Sequence, residues 1–117
     1  MNNNEDFKGL IENAFKMKLK SQILSEKEIH LRGELSAIEN VEYITPTLQN
    51  TLNILELLSD EGTNVDFVGE IRLSVKCNST DSISHSRKFA ANNIKTRYNT
   101  DKQEFVFLDI ISFNILD

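Results

Sequence analysis

The segment 105–116 constrains this chain more than any other, because it is apolar on both sides of a strand. Phe105, Phe107, Ile111, Phe113 and Ile115 fall on one parity, and Val106, Leu108, Ile110 and Leu116 fall on the other. Side chains alternate across a strand, so such a segment must be covered on both faces. At ~3.3 Å per residue an unbroken strand over 104–116 would run about 43 Å. A domain of this length has a radius of gyration of roughly 13 Å and a diameter of about 34 Å. The segment must therefore bend, break near Asp109 or pair with another subunit, so a homo-oligomer through 104–116 is one expectation.

The rest of the chain has to supply that cover from a single core. With 117 residues, 39% of them hydrophobic, one proline and four glycines, the chain reads as one domain over 5–117 behind a polar tail, 1–4. Phe7, Leu10, Ala14, Met17, Ser21 and Leu24 recur at spacings of three and four, which predicts an amphipathic helix over 5–23. Phe15 to Lys20 also alternates with period two, but only a helix accounts for Phe7 through Ala14 as well. Ile29, Leu31 and Leu35 alternate with His30, Arg32 and Glu34, as in a strand with one wet face, and 41–44 continues the sheet. Thr45 before Pro46 marks a helix start; Leu48, Leu52 and Leu55 line its face, Ile54 and Leu58 widen it, and Gly62 is its expected C-cap. A strand follows over 65–78, then a turn, then a helix over 84–98 with Phe89, Ala90, Ile94 and Tyr98 on its apolar face. The expected fold is α+β, ordered α-β-α-β-α-β, with a mixed or antiparallel sheet covered by helices.

Charge is segregated along the chain. Residues 37–70 hold seven acids (Glu39, Glu42, Glu56, Asp60, Glu61, Asp66 and Glu70) and no base. Residues 71–102 hold seven bases (Arg72, Lys76, Arg87, Lys88, Lys95, Arg97 and Lys102) against Asp81 and Asp101. Such asymmetry bears on partners and encounter rates rather than on fold. Asp60 and Glu61 stand where a helix dipole prefers cations, so a role other than helix stability is expected of them.

Residues able to do chemistry are few. Cys77 has no second cysteine, falls on the apolar parity of its strand and reads as core. His30 reads as surface, and His85 beside Ser84 and Ser86 lacks the geometry of a catalytic base, which neighbours in sequence rarely supply. No catalytic set, metal set, phosphate loop or cofactor motif is recognisable. The N-terminus has no signal-peptide blocks and no apolar run spans a bilayer, so a cytoplasmic protein is expected.

Charged surface remains. The leading expectation is a non-catalytic protein-binding domain of inhibitor or immunity type, meeting a basic protein through Glu56, Asp60, Glu61 and Asp66. The alternatives are phosphate or nucleic-acid binding through Arg87, Lys88, Lys95 and Arg97 on a basic helix, and a structural subunit of a homo-oligomer.

Overall fold

A computed structural model describes residues 3–31, 34–76 and 82–116 of the chain. In order they form α1 (Asn3–Glu26), β1 (Glu28–Leu31), β2 (Glu34–Leu48), α2 (Ile54–Leu57), β3 (Thr63–Lys76), β4 (Ser82–Asn99), β5 (Glu104–Phe107) and β6 (Asn114–Leu116). Every strand pairing is antiparallel, in the order β1-β2-β3-β4-β5, with β6 also on β4. The class is α+β, but the alternating order of helices and strands does not hold. Cys77 and the turn over 78–81 lie outside the described residues, as does the side chain of His30.

One expected helix is entirely strand, and the other is divided among the end of a strand, a loop and a single helical turn. Residues 45–48 belong to β2, and 84–98 lie within β4; only the four residues of α2 are helical between Thr45 and Gly62. Pro46 is not a helix start but sits on the outer edge of β2, where its missing N–H breaks no ladder bond, opposite Gly69 of β3. A Cβ at Gly69 would lie 2.1 Å from the carbonyl oxygen of Thr45, so this crossing requires glycine. The alternation read as one strand over 29–35 is shared by β1 and the start of β2, paired from Glu28↔Ala37 to Leu31↔Glu34.

The first helix forms as expected, but it buries a neighbouring stripe. Ile11, Phe15, Leu19 and Ile23, spaced by four, are fully buried against the sheet, while Leu10, Met17 and Leu24 are exposed. The two stripes adjoin on the helix surface, and Phe7 and Ala14 of the expected one still pack at the edge of the core. Phe15 stacks on Phe67 with centroids 4.0 Å apart and lies 6.0 Å from Phe89. Phe7, Tyr98 and Phe105 form a second aromatic group with edge contacts between 5.0 and 6.0 Å.

The doubly apolar segment breaks. β5 pairs with 96–99 of β4 and β6 pairs with 88–90, both along the same edge. Between them the chain turns inward, burying Ile111, and the side-chain amide of Gln22 on α1 grips that residue's backbone in both directions, at 2.7 and 2.9 Å. Length alone did not force the break, since the molecule extends 51 Å along its longest axis and its radius of gyration is 15.6 Å. Phe105 and Ile111 are buried and Phe107, Phe113 and Ile115 pack on the core, so one parity of the segment is covered within the chain, whereas Leu108, Ile110 and Leu116 of the other parity are exposed.

Among the described residues no helix is long and apolar enough to cross a membrane. The choice of buried stripe is directly testable. Phe15→Ala should cost about 3–5 kcal/mol of unfolding free energy, and Met17→Ala less than about 0.5 kcal/mol, read as denaturant midpoints. Equal costs would mean that α1 is docked through the other face.

Candidate functional site

The acidic residues expected to act together converge only in part. Asp66 is engaged in holding the fold. Its carboxylate accepts the backbone N–H of Asn93 at 2.8 Å and the side-chain amide of Asn50 at 3.3 Å, while its own N–H donates to Asn50 at 2.6 Å. Asn93 has φ 58 and marks a bulge in β4, where Asp66 alone faces the interval between Ala91 and Ile94. Asp66 is a clamp on that bulge rather than a free anion.

Glu56, Asp60 and Glu61 are exposed on α2 and the turn behind it. Asn53 caps the helix, its side chain accepting from the N–H groups of Leu55 and Glu56 at 3.1 and 3.3 Å. Ser59 donates to the carbonyl of Glu56 at 2.6 Å, and Thr63 donates to the Glu56 carboxylate at 2.8 Å. Gly62, at φ +71, closes the turn against β4, where a Cβ would lie 2.2 Å from the Thr96 carbonyl oxygen. The expected cap of a long helix is thus the closing residue of a tight turn. Leu57 alone among the α2 residues is buried, which turns Ile54, Leu55 and Leu58 outward, Leu55 with 82% of its surface exposed. The spacing predicts Ile54, Leu55 and Leu58 as core, because a helix running from Thr45 would put them against the sheet. The available signal was Asn53, a strong cap placed too late for that helix.

The basic constellation is dispersed. On a strand, Arg87 faces inward, across from buried Ile71, and its guanidinium lies 3.4 Å from His85 and donates to the Ser86 carbonyl. Lys88, opposite Glu70, and Lys95, opposite Asn64, both face outward because the bulge restores the parity between them. Seven residues of strand set them about 20 Å apart, too far to hold one phosphate together. Arg97 emerges beside Gly62, so Lys95 and Arg97 border the α2 turn. Among the described residues no carboxylate is hydrogen-bonded to His85, and no three metal-type ligands gather.

The outer face of the sheet is a polar lattice. Arg72 pairs with Glu42 at 2.6 Å and also donates to Ser86 at 3.2 Å; Ser84 donates to Glu42 at 2.8 Å, and Glu39 takes Lys76 at 3.5 Å and the hydroxyl of Ser82. The Ser84 hydroxyl, then Arg72, hold the Glu42 carboxyl below its ordinary range, and Glu42 in turn pushes Arg72 up.

No family model matches the chain, and no curated protein or solved structure matches it either.

Two outcomes test the assignments. Asp66→Ala leaves the Asn93 N–H without its acceptor and should cost about 1–3 kcal/mol of stability, measured by urea unfolding; no loss would place Asp66 back among the free acids. A carboxyl with a depressed folded pKa contributes stability above its unfolded pKa and loses it as pH falls through the folded value. Wild type should therefore lose more stability than Glu42→Gln on acidification into the carboxylate range, the two converging at the acid end of an unfolding series.

Proposed function

We propose that this is a non-catalytic protein-binding domain that engages another protein through the α2 turn. Leu55 is the anchor, Ile54 and Leu58 widen it, and Glu56, Asp60 and Glu61 supply an acidic rim. The complementary partner carries an apolar recess edged by lysine or arginine, and an inhibitor or immunity-type role is the concrete form of this reading. The observation that carries it is a large aliphatic side chain held out in water on a turn fixed by its own hydrogen bonds. A backbone ordered before binding loses little entropy on association, and apolar anchors inside a charged rim dominate interface energetics. The acids steer encounter and choose among partners more than they add affinity. Lys95 and Arg97 beside the turn fix which way a partner can approach, since its own cations would be repelled from that side.

The test compares capture from lysate of the source cells by the wild type, by Leu55→Ala and by Asp60→Lys/Glu61→Lys. The reading expects one dominant protein, retained by the wild type, reduced at least about tenfold by either change, and eluted earlier with salt. Both variants should unfold at the same denaturant concentration as the wild type. Retention of the same proteins by all three, or of none by the wild type, would sink it.

A further inference from the structure

The two terminal strands of the sheet, β1 and β6, line a single groove of about 460 Å³. The end of α1 supplies Gln22 and Glu26, β1 supplies Glu28 and Ile29, and the remaining wall runs from Ile110 to Ile115. Ile29, Phe113 and Ile115 pack on the core and form an apolar floor. Glu26, Glu28 and Ile110, the last with 78% of its surface exposed, stand at the rim. The wall is held in place from behind by the two bonds between Gln22 and Ile111, so the groove is formed in advance. It shares no residue with the α2 turn.

Three features select an occupant. Each bordering strand pairs on one side only among the described residues, leaving backbone donors and acceptors along the other. Proteins commonly protect such edges with proline or bulges. The long outer edge of β2 has both, Pro46 and two register shifts, whereas β1 and β6 have neither and are guarded only by their shortness, four and three residues. The field in the groove is negative: Glu26 and Glu28 form no ion pair among the described residues, and α1 points its negative pole there with no basic residue in its last turn. Lys27, the residue after α1, is not part of the groove lining.

We propose that the groove binds an extended segment of another protein that alternates apolar side chains with lysine or arginine. Its backbone adds to the free edges of β1 and β6, its apolar side chains descend onto Ile29, Phe113 and Ile115, and its cations meet Glu26 and Glu28. This is strand addition, in which the main chain supplies affinity and alternate side chains supply selectivity.

The probe is the capped pentapeptide Lys-Val-Lys-Val-Lys, titrated into the full chain and followed by amide shifts and hydrogen exchange. Three controls accompany it: the Glu-Val-Glu-Val-Glu peptide, the lysine peptide N-methylated at both valines, and the protein variant Glu26→Gln/Glu28→Gln, which keeps shape and removes charge. Shifts and added protection are expected in β1, in β6 and at 110–113, with binding about tenfold weaker for the glutamate peptide and for the variant, and absent for the methylated peptide. No shifts in those segments, equal binding of the two charge types, or undiminished binding of the methylated peptide would each overturn the proposal.

Discussion

Strands of 14 and 18 residues have to stay in contact with one helix, and the rest of this domain depends on how they bend to do so. A straight strand that long would leave α1 behind after a few residues. The bend comes from bulges, each of which adds a residue to one strand and sharpens its twist. In β4 the bulge falls at Asn93, held in a left-handed conformation that asparagine tolerates better than most residues, and the Asp66 carboxylate takes its N–H. The parity change matters as much as the bend. Phe89 and Ala91 point inward before it, and Ile94 and Thr96 after it. With no bulge, Lys95 and Arg97 would take the inward positions and place two cations in the core.

The same device explains which parts of the fold were legible in the sequence. The helix α1 and the strand β3 follow from ordinary periodicity, because nothing interrupts the repeat there. In β2 the buried residues Val41, Ile44 and Leu48 are spaced by three and four: a register shift between Val41 and Tyr43 makes the three, and half-buried Pro46 stands midway in the four. In β4 the step from Ala91 to Ile94 is likewise three. Three-and-four spacing is the signature of a helix, so a bulged strand imitates one. Pro46 strengthened the illusion, as its other favoured place is a strand edge. The candidate acids were visible as residue types, but their roles depended on the fold: Asp66 is consumed by the bulge, and Asp60 and Glu61 remain outside.

Charge segregation along the chain does not survive folding as a surface dipole. The acidic stretch ends, and the basic one begins, inside β3, so antiparallel pairing lays one against the other. Glu42 meets Arg72, Glu39 meets Lys76, and Glu70 lies across from Lys88. The acids left outside this matching include those where the chain leaves the sheet, around α2 and at the end of α1.

That separation decides where binding energy can come from. The outer face is broad, but its carboxylates, guanidinium and hydroxyls already satisfy one another, and stripping water from such a lattice returns little, because exposed ion pairs gain only about 0–1 kcal/mol each. Burial of apolar surface has no such counterweight, at roughly 25 cal/mol per Å². Among the described residues, the two most exposed large aliphatic side chains are Leu55 and Ile110. One stands on a turn braced by Asn53, Ser59 and Thr63, the other beside a wall braced by Gln22. In both places the fold spends hydrogen bonds to fix a greasy side chain in water beside carboxylates, an arrangement that stability alone does not call for and that a partner with apolar and cationic groups would complete.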